Sequence, residues 1–249
     1  MTKVSIQYES PIEAASSNLG LLITEHAALR ASLKQSQDHD ISNIIAFLWD
    51  LDKRYLDWSQ NLPAEFVITQ VLVGQSGYRQ DAYGDYYNSY SSIWIAGIWN
   101  NYRCARILAN ELLRHLVLRV LDESDMQEPP EIQTDLERVP YDTVLAAANS
   151  SIQKLSGDIC HSVPFFFSTT TQDAPRALAG NLLLWPLYLA AQTTVVKDEM
   201  RRWAADQLAY IGETMGIRQA GPMAMTLRRT LDMVDLADAV AEMSMKDAL

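Results

Sequence analysis

Arginines, asparagines and aromatic residues interrupt the otherwise apolar stretch WNNYRCARILANELL, Trp99 to Leu113. Asn100, Arg103 and Arg106 recur at every third position, so on a helix they line neighbouring positions along one side. If that side is buried, each guanidinium needs a carboxylate or backbone carbonyls, because an unpaired internal charge is strongly unfavourable. Asp50, Asp52 and Asp57, on a preceding helical segment, are the candidate partners. That pairing would clamp two helices together, and the pairing argument favours it. The alternative chemistry is recognition. Arg103 or Arg106 would receive an anionic small molecule in a pocket walled by Trp94, Trp99 and Tyr102.

Other chemistry is sparse. Of the four histidines, His26 falls on an apolar stripe and reads as a satisfied core or groove residue, while His39 sits in a polar break and is expected to be exposed. His115 follows Glu111 by four residues, a spacing that suits a local ion pair. Cys160 with His161 is the one pairing that suggests a nucleophile, but no oriented third group is evident. Adjacent side chains seldom converge on one ion and no further Cys or His lies nearby, so no metal site is assigned. No nucleophile elbow, phosphate loop or dinucleotide fingerprint occurs. We therefore assign no catalytic residues and no cofactor.

The chain has 249 residues, 48% of them hydrophobic, enough for a substantial core. Its apolar runs fall well short of the roughly 20 residues of a membrane span, and the N-terminus lacks the apolar core of a secretory signal. The cytosol or nucleus is the expected compartment, with Cys104 and Cys160 reduced. A net charge of −11 argues against direct contact with a phosphate backbone. Arg201 with Arg202 and Arg228 with Arg229 are the nearest approaches to basic patches. Acids surround both pairs, which read as solvated helix faces.

Periodicity gives the elements that must position these groups. Leu19, Leu22, Ile23, His26, Leu29 and Leu33 mark a helix from about Pro11 to Lys34. A second begins near Ile41 and is closed by Pro63, and the two suit an antiparallel hairpin. Residues 66–88 read as a long connection with one short extended piece. The long helix at about 91–121 is central, followed by an acidic, proline-bearing linker near 122–139 expected to be mobile. Helices at about 141–157, 174–194, 197–215 and 219–243 complete the chain. Pro186 should kink or restart its helix, Gly216 should stop the next in the left-handed conformation, and VPFFFSTTT reads as a plug of loop. The fold class is all-α: an irregular, single multi-helix domain over 1–249, with antiparallel helices around the central one.

Four segments resemble a known family. Asn100, Tyr102, Arg103 and Arg106 match an Asn-x-Tyr-Arg-x-x-Arg pattern in the regulatory domain of fungal binuclear zinc-cluster transcription factors. LDKRYLDWSQNLP (Leu51 to Pro63), LLLWPLYLA (Leu182 to Ala190) and RRWAADQLAYIGETMGIRQA (Arg201 to Ala220) resemble further segments of that family, in the expected order over about residues 40–225. The resemblance implies an all-α regulatory domain, nuclear and tied to control of secondary metabolism. In full-length members such a domain governs a separate DNA-binding head. The chain departs from that pattern, since two cysteines cannot build the family's zinc cluster and neither a basic linker nor a heptad coiled coil is present. It is expected to be either the C-terminal part of a larger regulator or a standalone relative without the head. The partners so implied are a small-molecule effector, a protein partner or a second copy of the chain, with no direct nucleic acid and no membrane. The rival is a standalone helical protein that binds or converts an apolar metabolite.

Overall fold

Ser10, Pro11 and Glu13 write the start of the first helix, α1 (Pro11–Gln35). The Ser10 backbone N–H donates to Glu13 Oε2 at 2.8 Å and Glu13 N–H donates to Ser10 Oγ at 3.3 Å, a reciprocal capping box with proline at the first helical position. Asp40 starts α2 (Ile41–Gln60) by accepting from the N–H groups of Ser42 and Asn43. The chain leaves the helix at Asn61, two residues ahead of Pro63. These local signals are why both helices begin where the periodicity predicts. The structure, a computed structural model, describes residues 10–35, 40–75, 81–123, 131–133, 138–168 and 176–231. His39, residues 232–243 of the last expected helix, and parts of the two connections lie outside them.

Contacts divide the chain into two compact units, one of Met1–Ile68 with Tyr90–Leu155 and one of Thr69–Ser89 with Ser156–Leu249. In the first, α1 and α2 pack as the expected antiparallel pair. Trp58 Nε1 donates to Ala15 O at 2.8 Å, and Arg54 donates to both oxygens of Glu25. The long helix α3 (Ile93–Glu123) packs along α2, and Ile45, Leu48, Leu51, Tyr55, Ile107, Leu113 and Val117 are buried. Two short strands lie within the acidic segment. β1 (Glu131–Gln133) and β2 (Arg138–Pro140) pair antiparallel, Ile132 opposite Val139, and both of these side chains are buried. Burial of that apolar cross-strand pair overrides the polar composition around it. Residues 124–130 and 134–137 lie outside the described residues. The helix α4 (Tyr141–Cys160) follows, its residues up to Leu155 belonging to this unit and those from Ser156 to the second, and it is held to α3 where Arg114 Nε donates to Asn149 Oδ1 at 3.0 Å.

In the second unit the expected extended piece is a strand, β3 (Thr69–Leu72), and it pairs antiparallel with β4 (Tyr86–Ser89), Thr69 opposite Ser89. The plug of loop is corrected: Val163–Ser168 form a short helix, α5. It buries Phe166 completely and leaves Phe165 and Phe167 only partly covered, so the three consecutive rings are shared among different surroundings. Pro164 in its first turn suits a helix start, where no N–H partner is needed. α6 (Arg176–Gln192) runs through Pro186 as one helix, so of the expected kink or restart the restart does not occur. α7 (Asp198–Met215) ends at Gly216 with φ of 70°, the left-handed stop anticipated from the sequence. Helical turns at 220–231 then pack back beside α7. The architecture is all-α, with only two-stranded ribbons beside the helices.

Candidate functional site

The polar residues of α3 separate into two groups within the first unit. Arg106 faces α2 and forms a two-pronged ion pair with Asp52, Nε to Oδ1 at 2.7 Å and Nη2 to Oδ2 at 2.9 Å. Its remaining nitrogen, Nη1, donates to the Tyr102 hydroxyl at 3.0 Å. Asn110, one turn further along, donates its amide to the same Asp52 Oδ1 and to the Arg106 carbonyl. Burial alone would lower the Arg106 pKa, but the hydrogen bonds and charge of Asp52, with a smaller contribution from Tyr102, outweigh it and raise it. Of the three aspartates proposed as partners, Asp52 takes the role. Asp50 lies near Arg54 at 3.8 Å and Asp57 accepts from Asn61.

Arg103 points elsewhere. It is 2% exposed, and its Nη1 donates to Asn100 Oδ1 and to the Tyr90 hydroxyl, both at 2.8 Å. The guanidinium carbon lies 5.7 Å from the ring centroids of both Tyr90 and Trp99, close enough for cation–π attraction. Among the described residues no carboxylate forms an ion pair with it. Two neutral oxygens and two ring faces therefore solvate this charge, a weaker arrangement than the carboxylate fork on Arg106.

Between the arginines and α1 lies an aromatic cluster. Tyr102 stacks near Trp58 with centroids 5.1 Å apart and meets Trp99 at 5.6 Å, while Trp99 Nε1 donates to Phe66 O at 3.0 Å. Tyr55 joins edge-on to Tyr102 at 6.3 Å, its hydroxyl pKa raised chiefly by burial. Of the five residues put forward for a pocket, Trp99, Tyr102, Arg103 and Arg106 come together here. Trp94 does not; it is 64% exposed on the first turn of α3. Sequence reasoning passed over Asn110 and Tyr90. Asn110 carried a readable signal, a buried-type amide four residues after Arg106, whereas Tyr90 reaches Arg103 from the preceding loop and carried none.

The remaining candidates are structural or inert. His26 is buried as expected but is not satisfied: among the described residues its Nε2 has no hydrogen-bond partner, and burial, with the nearby positive charge of Arg30, lowers its pKa to about 4. His115 is exposed, and Glu111 lies near Arg114 at 3.8 Å, one position from the partner the spacing suggested. In the second unit, Cys160 is wholly buried and its thiol pKa is raised by burial, the reverse of an activated nucleophile. His161 packs its ring on Tyr86, centroids 4.1 Å apart. Cys104 is likewise buried and pushed up to about 12, burial outweighing Arg103. Arg201, expected on a solvated face, is buried. It donates to the carbonyls of Ala191 and Thr193 at 2.9 and 3.0 Å and pairs with Asp198, tying α7 to the end of α6. Among the described residues no three His, Cys, Asp or Glu side chains converge as a metal site would require, and no helix is long and apolar enough to cross a membrane.

No family model matches the chain, and no solved structure matches it significantly. Over 146 residues it is 27% identical to the transcription factor dbaG of Emericella nidulans, an alignment that covers 53% of the chain and 30% of that relative. The similarity to a fungal transcription factor is thus distant and partial, and the chain spans under a third of the relative's length.

Proposed function

We propose that this chain is a regulatory, effector-sensing helical domain of a fungal transcription factor, acting in the nucleus through protein or small-molecule contacts and not by reading DNA itself. The similarity to dbaG carries this reading. Two physical observations agree with it. A chain of net charge −11 is poorly suited to releasing counterions from a phosphate backbone. On α3, Arg106 and Asn110 are engaged with Asp52 of α2, so these polar groups serve to join two helices. The test is a fusion to an unrelated DNA-binding head. The fusion should change reporter output from that head's operator, and the chain alone should show only weak, unselective retardation of DNA in physiological salt. Tight, sequence-selective binding by the chain alone, or a fusion that leaves the reporter unmoved, overturns the proposal.

A second reading has one observation in its favour. Arg103 is a buried arginine without a carboxylate, unlike Arg106 and Arg201, and could hold the anionic end of an apolar metabolite between Trp99 and Tyr90. Hydrophobic carboxylates such as decanoate or indole-3-acetate should then quench tryptophan fluorescence saturably, and Arg103→Ala should abolish the effect while far-UV circular dichroism is retained. Equal quenching in wild type and variant removes Arg103 from the site.

A further inference from the structure

In the first unit a groove of about 400 Å³ runs between α1 and α2. Ala15 and Leu22 line it from α1, Trp58 lines it from α2, Leu62 closes it where the chain leaves that helix, and Leu21, 51% exposed, stands at its edge. Hydrogen bonds join the two walls, Trp58 to Ala15 and Arg54 to Glu25, which fixes their spacing. From Ala15 to Leu22 the α1 wall is about two helical turns, or 10 Å, long. The charges around the groove are unequal. Glu25 takes both prongs of Arg54, Asp50 lies 3.8 Å from the same guanidinium, and Asp57, exposed in the groove lining, accepts from the neutral amide of Asn61. Among the described residues Asp57 makes no ion pair, so three carboxylates stand against one guanidinium.

We propose, resting on the reading of the chain as a regulatory domain that acts through protein contacts, that this groove receives a basic amphipathic helix of a partner protein. Leucine-type residues of that helix, at i, i+3 or i+4 and i+7, lie over Leu21, Leu22, Trp58 and Leu62, and its lysines or arginines meet Asp57 and the surplus charge of Glu25 and Asp50. Two turns of apolar anchors match the length of the wall, and covering Leu21 removes an exposed apolar side chain from water. The charge balance sets the sign of the partner. Arg54 is already held by the Glu25 fork, so an incoming carboxylate finds no uncommitted cation there, whereas an incoming ammonium or guanidinium finds Asp57. An acidic helix of the same apolar pattern is therefore rejected.

The test is a dye-labelled synthetic helix of leucine and lysine in that spacing, capped at both ends, titrated with the full chain and followed by fluorescence anisotropy. The wild type should bind one peptide with a dissociation constant of about 1–100 μM in physiological salt. Asp57→Lys and Leu21→Asp should each weaken binding about tenfold or more, the first by opposing like charges and the second by placing a carboxylate at the apolar edge. Glu213→Lys, the same change of charge on an exposed residue of the second unit, should bind as the wild type does, and the peptide with glutamate in place of lysine should not bind. All three substituted side chains are exposed, so unchanged circular dichroism will show that each variant folds. Equal weakening by Glu213→Lys would mean attraction to net charge alone, and binding of the glutamate peptide would mean unselective apolar adhesion. Sedimentation of the wild type as a dimer that Leu21→Asp splits would put a second copy in the groove. Each of these, like groove variants that bind normally, overturns the proposal. A fusion that leaves the reporter unmoved while peptide binding persists would count against the regulatory reading and leave this site standing.

Discussion

Removing Asp52 should destabilise the protein more than removing any other surface-reaching carboxylate, and should do so in a way that is coupled to Arg106. The Arg106 and Asp52 side chains are 11% and 14% exposed, so the pair sits in a largely water-excluded joint between α2 and α3. Stripping one partner from a fully buried pair costs about 3–5 kcal/mol. The residual solvent contact brings Arg106→Ala and Asp52→Ala down to about 2–4 kcal/mol each. Asp52→Ala belongs at the upper end because it also removes one of the two acceptors of the Asn110 amide, leaving only the Arg106 carbonyl, whereas Arg106→Ala leaves the Asn110–Asp52 bond in place. The double variant leaves no orphaned charge, so its cost should fall short of the sum by about 2 kcal/mol. Arg106→Lys supplies a control: it keeps the charge but loses the planar fork and should recover less than half of the loss. Urea unfolding followed by circular dichroism and by tryptophan emission, with Trp58 and Trp99 close to the joint, gives the four corners of the cycle. A coupling below about 0.5 kcal/mol would refute the clamp, because two side chains joined by two short charge-assisted bonds cannot be energetically independent.

His26 supplies a pH-dependent counterpart. Its folded pKa of about 4 lies below the ordinary 6.5, so the unfolded chain binds the proton more tightly, and the stability His26 contributes is complete above pH 6.5 and lost as pH falls toward 4. Relative to a His26→Leu variant, the wild type should lose up to about 2.5 kcal/mol between pH 7.5 and 4.5, read from paired urea titrations; parallel pH profiles would contradict the burial argument. Arg201→Ala should lower stability by about 3 kcal/mol, because it leaves the Ala191 and Thr193 carbonyls and Asp198 without their donor, and Arg201→Lys should rescue only part of it in thermal melts. Gly180→Ala should cost about 1–2 kcal/mol, since the new Cβ would come within 2.6 Å of Ile217 Cδ1 and 2.7 Å of Met215 Sδ, both flexible tips that can move at a price in packing. A neutral or stabilising result there would mean that α6 and the turn after α7 are looser than their contacts imply.

What the sequence made legible follows from how far each signal reaches along the chain. Helix starts at Pro11 and Ile41, the stop at Gly216 and the clamp between Asp52 and Arg106 all rest on local capping or on a buried charge that demands a partner. Such constraints act whatever the rest of the molecule does. The misplaced features have a different origin. Phe165, Phe166 and Phe167 looked like loop because one helix face cannot bury three consecutive rings, yet a short helix forms by burying only Phe166. Arg201 looked solvated because acids surround it in sequence, whereas its decisive partners are carbonyls at the end of α6. β4 was unreadable because its pairing strand precedes it across a polar stretch. Trp94 was taken for a pocket wall from its proximity in sequence to Trp99, but five residues of helix turn it to another side, where it is exposed. Arg103 is the instructive intermediate case. Its burial was foreseeable, but its solvation by Tyr90, Trp99 and Asn100 in place of a carboxylate was not, because a guanidinium can be satisfied by several chemistries while an aspartate facing it would have to be conspicuous. The same contrast separates the two arginines as targets: Arg106 should respond to mutation through stability alone, and Arg103 is the position at which a loss of ligand response could be seen without loss of the fold.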